Sequence, residues 1–231
     1  MANDEYAYEI IDNEKDARLC AQLIAEEFTS RHPITLFDRL TTRSFFDDHS
    51  WPLLTDVFDE KLSFLARERL SGEIIGTIIA GDLYLNREKY PYDISHPPRT
   101  LALSDLYDEL SDRFVRSEFN QELKPNTILH ILIIAVRSDH TGNGVATRLH
   151  EVLCEQARNL KGFRYAFVRA TNPVVQHIYV NKMNGRQLTS IDPATWRWKK
   201  QTDRLVYPYR NYNDEVISNI LITLIADNET E

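Results

Sequence analysis

Residues 128–149 read ILHILIIAVRSDHTGNGVATRL. The first part belongs to an almost wholly apolar run, residues 127–136, which is typical of a central strand covered on both faces. The last part opens residues 144–160, in which apolar side chains recur at helical spacing. The stretch therefore predicts a buried strand, a short loop that contains two glycines, and a helix.

The loop between this strand and this helix has the composition of an anion site. Glycine is scarce, with 7 in the whole chain, yet Gly142 and Gly144 are one residue apart here. Glycines at such a junction let the backbone curl closely around a ligand. Backbone N–H groups at a helix N-terminus attract anions such as a pyrophosphate. From the glycines alone, a tight turn that binds nothing is an equal alternative, and neither a P-loop nor a dinucleotide fingerprint is present.

The elements on either side of this stretch follow from hydrophobic spacing and turn residues. Strands are predicted at residues 6–11, 62–68, 73–84, 127–136, 164–169, 187–191, 204–209 and 217–225, and helices at 14–28, 35–47, 101–119, 144–160 and 173–183. This order predicts one mixed α/β domain over residues 1–231, with a largely helical insertion at about 85–126 before the central strand.

Composition excludes several functional classes. The 35 acidic and 27 basic residues give a net charge of -8, which argues against nucleic acid and is compatible with a cationic substrate. No apolar run is long enough for a membrane span, and the first residues lack a signal-peptide pattern. With only Cys20 and Cys154 there is no disulfide framework, so a cytoplasmic location is expected. The histidines show no metal-ligand spacing, and no metal is expected.

Two segments resemble the GNAT superfamily of N-acetyltransferases. The loop TGNGVA at residues 141–146 resembles that family's pyrophosphate loop, [Q/R]-x-x-G-x-[G/A], with Thr141 where Gln or Arg is usual. Residues 169–185 resemble the strand and helix that follow in the family, and Asn172 and Tyr179 match its motif directly. Arg186 replaces the usual aromatic residue after the final glycine. The resemblance covers roughly residues 129–188.

The resemblance implies a single-domain GNAT fold, with a mixed, mostly antiparallel, splayed sheet flanked by helices. It implies acetyl-CoA as the co-substrate, bound by a core at about residues 127–191, with the pantetheine arm on the main chain of Val136 and Ser138. The pyrophosphate would be held by Thr141, Gly142, Asn143, Gly144, Val145, Ala146 and Thr147. Asn172 and Tyr179 would lie beside the thioester, with Tyr179 as the general acid. Asn172 could equally cap the helix that opens at Pro173, and Tyr179 could be a core residue.

The resemblance leaves the general base open. His130 lies on the central strand, where related enzymes carry a histidine, and the alternative is a buried structural histidine. Residues 26–34, EEFTSRHPI, resemble the substrate-side segment of insect-type arylalkylamine acetyltransferases. That family has an acidic residue before the proline, where this chain has His32, a further candidate. Glu26 or Glu27 could also serve as the base, although a carboxylate on a surface helix is usually only solvated.

The sequence therefore predicts an enzyme that transfers an acetyl group from acetyl-CoA to a small-molecule amine by direct attack. A protein or peptide N-acetyltransferase and an acyl-CoA sensor without turnover remain alternatives. No nucleic-acid or membrane partner is expected, and the chain is expected to be a monomer or a homodimer. The acceptor, the acyl chain length and the oligomeric state are not readable from the sequence.

Overall fold

A computed structural model describes residues 5–201 and 206–225, and these contain seven strands and eight α-helices. The strands are β1 (Tyr6–Ile10), β2 (Phe64–Glu68), β3 (Ile74–Asp82), β4 (Ile128–Val136), β5 (Tyr165–Ala170), β6 (Arg186–Ile191) and β7 (Ile217–Thr223). The helices are α1 (Glu14–Arg31), α2 (Pro33–Phe37), α3 (Thr42–Phe45), α4 (Trp51–Val57), α5 (Leu83–Lys89), α6 (Ala102–Arg113), α7 (Val145–Lys161) and α8 (Pro173–His177). The predicted α/β class, with a mixed, mostly antiparallel sheet flanked by helices, is confirmed.

The chain divides into two units. The first comprises the described residues up to Asp82 together with Leu129–Phe163, and the second comprises Leu83–Ile128 together with the described residues from Arg164 onward. The prediction of one domain over residues 1–231 stays a prediction. Within the described ranges, no helix is both long enough and apolar enough to span a bilayer.

The first unit is built on the strand order β1-β2-β3-β4, and each of its ladders is antiparallel. Helix α1 covers one face of these strands. It begins at a capped N-terminus, where the Asn13 side chain accepts a hydrogen bond from the Asp16 N–H at 2.9 Å. Its buried side chains, including Cys20 and Ile24, pack with Leu65 of β2 and with other core residues of this unit. Burial of this apolar stripe holds α1 on the sheet.

A β-bulge in β4 changes which side chains face α1. Ile131 and Ile133 both pair with β3, and Leu132 is an extra residue between them. Leu132 and Ile133 both pack against the α1 core cluster although they are adjacent in a strand, and Ala135 belongs to the same cluster. Side chains otherwise alternate between the faces of a strand, so His130, two residues before Leu132, lies on the α1 face.

Helix α7 lies close to the sheet because β3 carries a glycine beneath it. A Cβ atom at Gly76 would lie 3.1 Å from Cγ1 of Val145, the first residue of α7. The helix ends at Gly162, whose φ of +72° is left-handed and whose N–H bonds to the carbonyl of Arg158 at 3.1 Å. The N-terminus of α7 therefore packs closely on β3.

The second unit contains antiparallel strands in the order β5-β7-β6. Its aromatic core is centred on Phe114 and Phe167, whose rings stack with centroids 4.2 Å apart. Helix α6 turns two carboxylates inward, and the loop after β6 supplies their partners. The indole N–H of Trp198 donates to Asp105 at 2.8 Å, and that of Trp196 donates to Glu109 at 3.1 Å. These contacts fix the loop, since buried carboxylates require such partners.

One predicted helix is wrong. Residues 35–47 do not form a single helix, because α2 ends at Phe37 and the chain turns through Arg39, whose φ is +54°. Thr41 and Ser44 then form a reciprocal capping box that starts α3. These polar residues favour a new helix start over continuation of the preceding helix.

Other boundaries differ from the predictions by one to a few residues, with three exceptions. Helices α4 and α5 were not predicted, and α5 begins at Leu83 within the predicted strand 73–84. Of the strand predicted at 204–209, residues 204 and 205 lie outside the described residues, and residues 206–209 form turns instead of a strand. The helical segment between the third and fourth strands is confirmed, as α5 and α6.

The buried histidine of α7 makes the stability of the fold depend on pH. Burial lowers the pKa of His150 to about 4, and its Nδ1 lies 2.6 Å from the carbonyl oxygen of Ala146, to which the neutral ring donates. The unfolded chain binds this proton at about pH 6.5. The stability contributed by neutral His150 is therefore present above about pH 6.5 and is lost as the pH falls towards 4.

We expect this group to lower the free energy of unfolding by about 3 kcal/mol between pH 7 and pH 4. Urea denaturation at several pH values measures this loss. His150→Asn keeps an N–H donor but does not titrate, so its pH dependence should be shallower than that of the wild type. His177→Asn, at an exposed histidine, is the control and should leave the slope unchanged. Equal slopes for the wild type and His150→Asn would contradict the assignment.

Candidate active site

The loop between β4 and α7 has left-handed backbone at both of its glycines. The φ angles are +84° at Gly142 and +79° at Gly144, and both residues are exposed. A Cβ atom at either position would meet nothing within 4 Å, so backbone conformation and not crowding requires glycine here. Gly144 is the N-cap of α7 and supplies no side-chain cap to the first helical amides. A helix N-terminus of this kind is suited to an anion.

The neighbouring residues of this segment either stabilise the turn through a side chain or can offer a backbone N–H group to a ligand. The Thr141 hydroxyl donates to the carbonyl of Ser138 at 2.8 Å, so this side chain stabilises the turn that precedes the glycines. Val145 is buried and packs in the core, and Ala146 and Thr147 are partly buried. Val145 can therefore contact an anion at the loop only through its backbone N–H.

The end of β4 contacts the last turn of α1. The carbonyl of Val136 accepts a hydrogen bond from the Arg31 guanidinium, and the N–H of Ser138 donates to Oε1 of Glu27 at 3.2 Å. Glu27 and Arg31 also form an ion pair, with 2.6 Å between Oε2 and Nε. The two main-chain positions that the sequence predicts for the pantetheine arm therefore both contact this ion pair.

The two candidate histidines occupy different places in the first unit. His130 is buried within β4. His32 lies at the junction of α1 and α2, where its Nδ1 is 2.8 Å from the hydroxyl oxygen of Thr35 and its ring packs on Phe28 with centroids 4.6 Å apart. Among the contacts described above, Glu27 is the candidate base that forms a hydrogen bond with a predicted cofactor-binding residue, Ser138.

In the second unit, Asn172 caps a short helix. Its side-chain oxygen accepts from the N–H of Val175 at 3.0 Å, and Pro173 follows as the first residue of α8. The cap interpretation of Asn172 is therefore confirmed. This cap uses the side-chain oxygen of Asn172. The side-chain NH₂ group is chemically able to donate a hydrogen bond to a ligand.

Tyr179 lies in a π-helical turn, Ile178–Lys182, that directly follows α8. Its side chain is fully buried, with 0% of its surface exposed. The carbonyl of Tyr179 accepts from the N–H of Gly185 at 2.8 Å, and a Cβ atom at Gly185 would lie 2.7 Å from that oxygen. Gly185 thus lets the chain pass close to this turn. Single π-helical turns are frequent at functional sites.

Three residues with contacts to the predicted site were not identified from the sequence. Arg31 could have been found, because it lies four residues after Glu27 on a helix, the spacing of an ion pair. Tyr6 and His140 hydrogen-bond each other at 3.0 Å across 134 residues of sequence, and no local pattern marks such a contact.

The chain is an α/β protein in which an exposed glycine loop leads into the open N-terminus of a helix. Residues 20–185 match the family model described as Acetyltransferase (GNAT) family. The chain belongs to this acetyltransferase family, and the predicted enzyme class, N-acetyltransferase, is confirmed. A comparison with curated protein sequences found no match.

Solved structures with a similar fold include three relatives of low identity. The C-terminal condensation domain of Ebony, in complex with beta-alanyl-dopamine, is 13% identical with a TM-score of 0.72 over 94% of this chain and 98% of that one. Arylalkylamine N-acetyltransferase 2 from Aedes aegypti is 17% identical, with a TM-score of 0.68 over 96% of this chain and 100% of that one. The polyamine N-acetyltransferase of Drosophila melanogaster, which forms N-acetylagmatine, is 13% identical, with a TM-score of 0.62 over 95% and 100%. These similarities support the fold.

The two thiols should not react in the native protein. Burial raises the pKa of Cys20 to about 12 and that of Cys154 to about 12. At about pH 8 only about one thiol in ten thousand is then a thiolate, the reactive form. We expect slow modification by a disulfide reagent in buffer and rapid modification of both cysteines in urea. Cys154→Ser should retain acetyl transfer. Rapid modification of one native thiol, or loss of activity in that variant, would contradict this prediction.

Proposed function

We propose that this protein transfers an acetyl group from acetyl-CoA to the primary amine of a small molecule. The observation that carries the proposal is the exposed loop at residues 141–144, in which left-handed glycines precede the open N-terminus of α7. Such backbone suits a pyrophosphate, which is an anionic group of CoA. Membership of the acetyltransferase family supplies the reaction class.

The residues present fit the co-substrate. The open space around Gly142 and Gly144 leaves room for phosphate oxygens beside the backbone, and the N–H groups of residues 142–147 would hold them. The main chain of Val136 and Ser138 would bind the pantetheine arm, and Asn172 would bind near the thioester. Acetyl-CoA supplies an activated acyl carbon as a thioester.

We assign Tyr179 as the general acid. As the amine nitrogen bonds to the acyl carbon, the carbon–sulfur bond breaks, and the Tyr179 hydroxyl would donate its proton to the leaving sulfur. The resemblance of its segment to the family motif supports this role. The hydroxyl would regain a proton from the general base or from water before the next cycle.

Glu27 is the base that the contacts favour. Its carboxylate accepts from the N–H of Ser138 at 3.2 Å, and that N–H is proposed to bind pantetheine. A pantetheine arm at Ser138 would therefore compete with Glu27 for this donor. Release of the carboxylate would leave an oxygen available to take the proton of the attacking ammonium group. His32 and His130 remain the other candidates.

A small amine is the proposed acceptor class. Solved structures of similar fold are described as acetyltransferases of arylalkylamines and of a polyamine substrate, agmatine. The net charge of -8 is consistent with attraction of a cationic amine. A cytoplasmic location and a monomeric or homodimeric state stay predictions.

The first test is turnover of a panel of arylalkylamines, diamines and agmatine with acetyl-CoA, followed by thiol release. We expect at least one small amine to be acetylated. Tyr179→Phe should lower kcat about a hundredfold because the leaving sulfur loses its proton donor, while the Kd for CoA stays within about twofold of wild type. Tyr165→Phe removes another hydroxyl of the second unit, one that accepts from Gln121, and should retain activity.

The outcomes of this test separate the alternatives. CoA binding without acetylation of any amine or peptide would favour a sensor, and acetylation of peptides alone would favour a protein acetyltransferase. Full activity in Tyr179→Phe would remove Tyr179 from the mechanism. Absence of CoA binding would overturn the proposed function itself.

The second test concerns the base. Glu27→Gln should lower kcat/KM about a hundredfold, because no carboxylate then accepts the ammonium proton. The matched control is Glu26→Gln, since Glu26 is the exposed neighbour that bonds to Gln22 at 2.8 Å. Wild-type kcat/KM in Glu27→Gln, together with a hundredfold loss in His130→Gln or His32→Gln, would assign the base to that histidine.

A further inference from the structure

A hydrogen-bonded relay, buried at Tyr6 and His140, connects the first strand to the middle of the glycine loop. The Asn143 amide donates to the hydroxyl oxygen of Tyr6 at 3.2 Å, and the same oxygen lies 3.0 Å from Nδ1 of His140. Nε2 of His140 lies 2.9 Å from the Arg137 guanidinium. Tyr6 is 3% exposed and His140 is 8% exposed, so the centre of the relay is shielded from water.

The chemistry of these groups fixes the proton on His140. An arginine side chain has donors and no acceptor, so Nε2 of His140 must accept from Arg137. The neutral ring then carries its proton on Nδ1 and donates it to the Tyr6 oxygen. Arg137 stays charged, because its guanidinium donates hydrogen bonds to Asp139 and to Glu73, and these contacts raise its pKa above the ordinary value.

We propose that Tyr6 and His140 are positioning residues for the pyrophosphate loop, which they hold through the side chain of Asn143. This inference rests on the proposed function, because it assumes that the loop binds CoA. Asn143 lies between the two left-handed glycines, so a tether on its side chain limits the conformations of the segment that glycines otherwise leave free.

The test compares co-substrates that do and do not carry the pyrophosphate. Tyr6→Phe removes one oxygen and both hydrogen bonds, and we expect its affinity for CoA to fall about tenfold. Its kcat/KM with acetylpantetheine, which lacks the pyrophosphate, should remain within about twofold of wild type. Tyr8→Phe makes the same change two residues along β1 and should leave the affinity for CoA unchanged.

Two further variants test the role of His140. His140→Asn keeps an N–H group that can donate to Tyr6, so its affinity for CoA should be within about threefold of wild type. His140→Ala removes the ring that joins Tyr6 to Arg137, so its affinity for CoA should fall about tenfold.

Each outcome decides the proposal. Equal CoA affinity in wild type and Tyr6→Phe, an equal loss with acetylpantetheine, or equal CoA affinity in wild type and His140→Ala would overturn the positioning role and leave the proposed function intact. Absence of CoA binding by the wild type would overturn the proposed function, and this inference with it.

Discussion

The left-handed backbone at Gly142 and Gly144 is the constraint on which the proposed site depends. A residue with a Cβ atom would be strained there by about 1–2 kcal/mol, and the loop would favour another path. Gly76 lets α7 pack closely on β3, which positions the helix next to the loop. The direction of the helix N-terminus, and therefore of its unpaired amides, follows from these positions together.

Helix α1 is the second feature of the first unit on which the proposed site depends. Its last turn presents Glu27 and Arg31 to the end of β4, where both make hydrogen bonds to main-chain groups. One carboxylate therefore contacts a backbone position proposed for the cofactor and is also the favoured acceptor of the substrate proton. This arrangement would couple the availability of the base to occupancy of the cofactor site, because one N–H group serves only one strong acceptor at a time.

The second unit carries the proposed acid in a closely packed segment. Tyr179 is fully buried in a π-helical turn, and the chain passes it closely at Gly185. Nearby in sequence, Asn172 fixes the start of α8 through its cap. The carboxylates of Asp105 and Glu109 are held by tryptophan and lysine side chains, which ties the loop after β6 to α6. Such satisfied buried networks favour one conformation.

The sequence by itself determined the strand, loop and helix around Gly142 and the cap at Asn172, because these depend on neighbouring residues. It predicted one helix at residues 35–47, since hydrophobic spacing outweighed the cap signal at Thr41. Only the tertiary structure decided the face of His130, through the bulge at Leu132, and the contacts of Glu27 with Ser138 and of Tyr6 with His140. Those contacts span 111 and 134 residues, and they depend on strand register and helix packing, which no local pattern encodes.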